Sequence, residues 1–171
     1  MRQSPIKKLI SSLALAVLLA ACSGNDATDA IRALIEEAET RAEAHNIRGL
    51  MDLTTDDFVA TPGPRDKREV KQVLWLAFRH YREFNILYPE PIVALDAGGK
   101  AASAAIHFLI VRKDAEFPEL EALYRSPGKW IEAVGDNADL YRLEVDFKKA
   151  GGDWMASRAS LQPFTGIKIG N

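Results

Sequence analysis

The chain has 171 residues, with 24 acidic and 22 basic side chains, three histidines and a single cysteine. This length is enough for one domain of ordinary size, and a single cysteine excludes an internal disulfide. The first 21 residues hold three of the basic side chains and no acidic one, so residues 22–171 carry a formal charge of −5. An acidic balance without a basic, aromatic-rich cluster argues against nucleic-acid binding.

The N-terminal segment has the pattern of an export signal. Three basic residues precede an apolar run over residues 9–21 that only two serines interrupt. A basic start followed by an apolar run of this length is typical of a signal peptide. The run is short for a transmembrane helix, which needs about 20 apolar residues. We therefore predict that residues 1–21 are a signal peptide.

The end of this segment, Leu19-Ala20-Ala21-Cys22, resembles the lipobox of bacterial lipoproteins. In that family the cysteine thiol receives a diacylglyceryl group, the chain is cleaved before it, and the new amine is acylated. The resemblance implies that fatty acids such as palmitate on Cys22 hold the protein in the cell envelope. An aspartate after the cysteine would resemble an inner-membrane retention signal, so Ser23 implies the periplasmic face of the outer membrane. The alternative is an ordinary signal peptide with a chance cysteine at the cleavage point.

The segment after Cys22 is predicted to be a short tether over residues 22–28, because helical periodicity resumes near Thr28. A first helix is expected up to His45, since apolar residues recur there at spacings of three and four. A short second helix and a brief strand over residues 57–60 should follow.

A third helix is expected after the break at residues 61–64. Asp66 and Glu69 have the spacing of a capping box, in which each side chain binds a free backbone N–H at the start of a helix. The apolar residues that follow, up to Tyr81, form one face of this helix.

From Phe84 onward the periodicity changes to the two-residue period of strands. Pro89 and Pro91 cannot donate to a strand ladder, so an edge position or a bulge is expected there. A hairpin turn at residues 96–99 should lead into a long strand over residues 101–111.

The last part of the chain is predicted to contain a possible insertion and a second hairpin. Residues 114–139 have the character of the insertion, and residues 140–149 then alternate as a half-buried strand. Gly151-Gly152 should turn the chain into a strand over residues 154–161. Residues 163–171 are predicted to be an irregular tail.

The order of these elements resembles the nuclear transport factor two-like fold of ketosteroid isomerases, SnoaL-type polyketide cyclases and many binding modules. The resemblance is carried by the segment ending in Asp56-Asp57-Phe58, the hairpin over residues 95–101 and the segment over residues 145–154. It covers residues 29–162. It implies an α+β cone in which N-terminal helices pack on a curved antiparallel sheet around an apolar cavity, and a homodimer through the sheet's outer face.

Four side chains are candidates for lining such a cavity. Tyr81 and Tyr141 fall on apolar faces, where each could offer a hydroxyl to a ligand or pack in the core. His107 interrupts an apolar strand and could be an acid–base group or a buried, hydrogen-bonded histidine. Arg158 would face the cavity and could hold an anion if Gly151-Gly152 is a two-residue turn. It would face outward if the loop has an odd number of residues.

No catalytic set can be assembled from these candidates. An isomerase mechanism needs a carboxylate base in the cavity, whereas Glu144 and Asp146 lie opposite Tyr141 on their strand. The histidines are far apart in sequence, and no metal or cofactor motif is present. We therefore predict an envelope lipoprotein that binds a small apolar ligand or a protein partner without catalysis or cofactor. The alternative is a small isomerase- or cyclase-like enzyme acting on an apolar substrate.

Overall fold

The computed structural model describes residues 26–113, 129 and 138–163. The predicted signal peptide, the lipobox with Cys22, nearly all of the predicted insertion and the end of the tail lie outside these residues. Within them, helix α1 covers residues 26–43, and the other elements are α2 (Ile47–Asp52), α3 (Lys67–Tyr81), β1 (Thr54–Thr61), β2 (Phe84–Leu87), β3 (Ile92–Leu95), β4 (Ala101–Arg112), β5 (Ala138–Ala150) and β6 (Asp153–Pro163). No helix in the described ranges has the length and apolar character to cross a membrane.

The helices begin where local side-chain chemistry satisfies their free backbone groups. The carboxylate of Asp66 accepts from the backbone N–H groups of Arg68 and Glu69, both at 2.9 Å, and the Glu69 carboxylate accepts from the Asp66 N–H at 3.0 Å. This reciprocal pair confirms the predicted capping box at the start of α3. At the other end of the domain, α1 already includes residues 26–28, which shortens the predicted tether.

The sheet is open and its strands lie in the order β1-β6-β5-β4-β2, with β3 also paired to β4. Strands β4, β5 and β6 are antiparallel neighbours, but β1 runs parallel to β6. The predicted α+β architecture, with helices packed on a curved sheet, is confirmed, and the parallel pairing of β1 with β6 makes the sheet mixed. The partner of β1 comes from the far end of the chain, so no tight turn fixes their relative direction.

One edge of the sheet is divided into two short strands. β2 pairs with residues 109–112 of β4, and β3 pairs with residues 102–105 of the same strand. The segment between β2 and β3 contains Pro89 and Pro91, which lack the N–H that a ladder needs. The edge position that the prolines predict is confirmed, and the strand is interrupted between Leu87 and Ile92.

A β-bulge at Ser157 shifts the register of β6 against β5 by one residue. Phe147 pairs with Ala156, but the preceding residue of β5, Asp146, pairs with Arg158, so Ser157 is the extra residue. Its hydroxyl donates to the Asp146 carbonyl at 3.1 Å. Because side chains alternate along a strand, one extra residue exchanges the two faces of everything beyond it.

The packed core occupies the end of the domain where α1 starts and the β5–β6 turn lies. Ile31 of α1 is fully buried there against apolar side chains of β4, β5 and β6. The cluster consists of Ala27, Ile31, Ile35, Ala102, Ala104, Ile106, Val145, Phe147 and Trp154. Beyond it, toward α3, the helices stand away from the sheet and leave a cavity.

Candidate ligand-binding cavity

The cavity lies between the three helices and the concave face of the sheet and has a volume of about 330 Å³. This volume is at the lower end of the range of small-molecule sites. Its walls are almost entirely apolar and include five phenylalanines, Phe58, Phe78, Phe84, Phe108 and Phe147. Such walls favour a ligand with a large apolar, and above all aromatic, surface.

Helical and strand periodicities produce these walls. Residues of α1 at spacings of three and four line one side, and the predicted apolar face of α3, which ends in Tyr81, lines another. From the sheet, alternate residues of β4 and β5 point inward, since side chains of a strand alternate between its faces. The helical contributions are Leu34, Ile35, Ala38, Glu39, Ala42, Leu50, Met51, Val70, Leu74, Ala77, Phe78 and Tyr81.

A phenol–carboxylate network lies at the α3 side of the cavity. The Tyr81 hydroxyl donates to Asp139 Oδ2 at 2.6 Å and lies 2.8 Å from the Tyr141 hydroxyl. A phenol has a single proton, so Tyr141 must donate to Tyr81 while Tyr81 donates to Asp139. Burial, followed by the hydrogen bond to Asp139, raises the pKa of Tyr81 well above its usual value. Both phenol protons are thus committed within the network.

A second phenol–carboxylate pair joins α1 to the segment after β2. The Tyr88 hydroxyl donates to Glu39 Oε2 at 2.6 Å, and both side chains line the cavity. Burial, followed by the hydrogen bond to Glu39, raises the pKa of Tyr88 above its usual value. One helical turn further along, the Glu43 carboxylate accepts from the Ile86 backbone N–H at 2.7 Å. These bonds hold β2 against α1.

The structure separates the four predicted cavity residues into two pairs. Tyr81 lines the cavity, and Tyr141 lies beside it, bonded to Tyr81 and stacked on Phe108 with ring centroids 5.7 Å apart.

His107 and Arg158 do not line the cavity; both are exposed on the outer face of the sheet. Ile106 and Phe108 line the cavity, so alternation turns His107 outward. The turn at Gly151-Gly152 does have two residues, because Ala150 pairs with Asp153. The bulge nevertheless sends Arg158 outward, opposite Asp146. The candidates His107 and Arg158 thus lie outside the cavity lining, and of the two orientations left open for Arg158 the structure has the outward one.

Three polar residues of the site were not among the predicted candidates: Glu39, Tyr88 and Asp139. Glu39 has a detectable signal, since it lies four residues after Ile35 and three before Ala42, on the same helical face. Because Glu39 is charged, the sequence favours placing it on the polar face of α1 and not on the cavity wall. Asp139 was assigned to the end of the insertion, and no local pattern shows that it reaches Tyr81.

The chain matches no protein-family model and no curated protein. Among solved structures it is similar to a nuclear transport factor two-like protein with a cystatin-like fold from Novosphingobium aromaticivorans, with 15% identity, a TM-score of 0.65, and coverage of 90% of this chain and 92% of that one. A nuclear transport factor two-like protein of unknown function from Pseudomonas putida KT2440 gives 17% identity and a TM-score of 0.62, covering 81% and 87% of the two chains.

A further similar structure comes from Novosphingobium aromaticivorans DSM 12444 and carries the provisional name scytalone dehydratase. It has 12% identity and a TM-score of 0.62, covering 85% of this chain and 89% of that chain. Identities this low establish the fold and not the activity. The chain therefore has a nuclear transport factor two-like, cystatin-like fold, in which helices pack on an open, curved, mixed sheet.

Proposed function

We propose that the chain is a lipid-anchored protein of the bacterial envelope whose domain binds a small apolar ligand without catalysis. The observation that carries this proposal is the phenylalanine-lined cavity of about 330 Å³. A protein partner would need a broad outward surface, whereas these apolar walls face inward. A small molecule is therefore the occupant that fits the site best.

The hydrogen bonds of the cavity favour binding over chemistry. Thr54, Tyr81 and Tyr88 use their hydroxyl protons on Met51, Asp139 and Glu39, respectively. A catalytic oxyanion site needs donors aimed at the reacting atom, and these donors are already occupied.

An isomerase- or cyclase-like activity is the second candidate. The observation that favours it is Glu39, a carboxylate in an apolar wall, where a general base could act. The provisional dehydratase name of one similar structure is consistent with such chemistry in this fold. Turnover of an apolar substrate that is lost on Glu39→Gln would support the enzyme over the binding protein.

The binding proposal is tested with the neutral probe N-phenyl-1-naphthylamine and a variant that fills the cavity. Ala77→Trp on α3 adds a large ring to the cavity wall and is expected to weaken probe binding at least tenfold. Ala105→Trp is the matched control, because Ala105 is exposed on the outer face of β4. Equal binding by wild type and both variants, or no binding by wild type, would contradict the proposal. Native mass spectrometry of the domain purified from Gly24 onward should also detect a retained small molecule.

The anchor is tested separately. The lipobox-like segment predicts that cells expressing the full chain incorporate radioactive palmitate into the protein and that Cys22→Ser abolishes this labelling. Ser23→Ala serves as the control and should remain labelled. Labelling that persists in Cys22→Ser would refute lipidation at this residue while leaving the cavity proposal intact.

A further inference from the structure

We propose that the ligand is an amine, with a protonated nitrogen held by Glu39 and an aromatic body held by the phenylalanines; this inference rests on the proposed binding function. The starting observation is the charge of the walls. Among the described lining residues, Glu39 is the single charged side chain, and Lys, Arg and His are all absent from the lining. A site of this charge attracts a cation and repels a carboxylate or phosphate.

The neighbourhood of Glu39 reinforces this selection. Glu36 and Glu43 lie on the same helix, and their negative charges act on Tyr88 together with that of Glu39. Arg41 of the same helix pairs with Glu37 at 2.6 Å and also donates to the Gly49 carbonyl. The His45 ring stacks on Phe78 and Phe84 but does not line the cavity. A ligand anion would therefore meet the Glu39 carboxylate with Glu36 and Glu43 nearby, and no basic side chain is among the described residues that line the cavity.

Other basic residues close to the cavity are also bound elsewhere. Lys67 donates to the backbone carbonyl of Thr54 at 3.1 Å, and Arg32 pairs with Glu90 at 3.0 Å. Neither lines the cavity. The negative character of the α1 wall is therefore not neutralised from the neighbouring elements.

The hydrogen-bonding capacity of Glu39 matches an ammonium group. A carboxylate only accepts hydrogen bonds and offers about four lone-pair sites. Tyr88 uses one of them, on Oε2, and the described residues donate no hydrogen bond to Oε1. An ammonium group carries three donors, and a charged hydrogen bond in an apolar site is stronger than a neutral one. The aromatic rings can in addition attract the cation through their faces.

The experiment compares three probes with one apolar body: 2-naphthylmethylamine, 2-naphthalenemethanol and 2-naphthoate. We expect the amine to bind at least tenfold more tightly than the alcohol and the carboxylate to bind most weakly, as measured by isothermal titration calorimetry. In Glu39→Gln the amine should lose at least tenfold in affinity while the alcohol changes less than twofold. Asp26→Asn, which removes one negative charge from the same helix but outside the cavity wall, is the control and should retain the preference.

The outcomes separate this inference from the proposed function. Equal affinity for the three probes, tightest binding of naphthoate, or a preference that survives Glu39→Gln would overturn the amine assignment while the cavity remains a binding site. Binding of N-phenyl-1-naphthylamine without binding of any naphthyl probe would also overturn it. If that neutral probe fails as well, the proposed function falls and the amine assignment falls with it.

Discussion

At the scale of single residues, the phenol protons of two tyrosines in the cavity should make the stability of the fold depend on pH. Tyr81 and Tyr88 each donate a 2.6 Å hydrogen bond to a carboxylate. Burial is the main cause that raises the pKa of both phenols, and the carboxylate partners add to it. An unfolded tyrosine loses its proton near pH 10, whereas the folded chain retains both protons beyond that pH.

We predict that the free energy of unfolding is fully retained below about pH 10 and falls as the pH rises above it. Above that pH the unfolded state binds fewer protons than the folded state, so stability decreases by at most about 1.4 kcal/mol per pH unit for each tyrosine. Partial exposure to water keeps the slope below this limit. Urea unfolding between pH 9 and 11 measures it. The double variant Tyr81→Phe/Tyr88→Phe should have a shallower slope, and an unchanged slope would contradict the assignment.

Sequence periodicity predicted part of the site correctly because some faces depend on local spacing alone. Tyr81 lies on a regular apolar helical face, and its position follows from the 3.6-residue period. The same helical period places Glu39 on the apolar face of α1. Its charge, however, favours assigning it to the polar face, which is incorrect. The bond between Tyr81 and Asp139 joins residues 58 positions apart, and nothing local encodes it.

At the scale of elements, the start of α3 depends on the Asp66–Glu69 capping box. Asp66→Ala removes the acceptor of two backbone N–H groups, so we predict a loss of about 1 kcal/mol in the free energy of unfolding. Urea denaturation at pH 7 measures this loss. Asp52→Ala is the control, because an exposed carboxylate at the end of α2 has no favourable interaction with the helix dipole. Equal stability of Asp66→Ala and wild type would show that the box does not stabilise α3.

The direction of β1 and the bulge at Ser157 are the features of the sheet that the sequence did not predict. The two-residue turn follows from Gly151-Gly152, whose φ angles of 64° and 102° suit glycine. The bulge has no comparable signal. The extra residue, Ser157, follows Ala156. It changes the alternation of side chains, so that Ala159 and Leu161 line the cavity together with Ala156. Only the pairing with β5 and β1 decides that register, and this pairing is non-local. The same holds for the parallel direction of β1.

At the scale of the whole molecule, the start of α1 lies beside the β5–β6 turn, and the proposed lipid anchor at Cys22 would place this end of the domain toward a membrane. Asp26 and Ala27 border the same groove as Gly152 and Asp153. Three residues lie between Cys22 and Asp26, so the four Cα–Cα steps from one to the other span at most about 14 Å. Lipidation of Cys22, as proposed, would therefore hold the β5–β6 turn near the bilayer. The opposite end of the sheet, at Lys113, lies roughly 40 Å away along the strands.

We therefore predict a fixed orientation on lipid vesicles. A fluorophore on Asp153→Cys should be quenched strongly by nitroxide-labelled lipids and one on Lys113→Cys only weakly, because nitroxide quenching falls steeply with distance. Both residues are exposed, and the introduced thiol is the single free one once Cys22 is acylated. Adding Cys22→Ser to each variant is the control and should abolish quenching at both positions. Equal quenching in the two acylated variants would mean that the tether does not orient the domain on the bilayer.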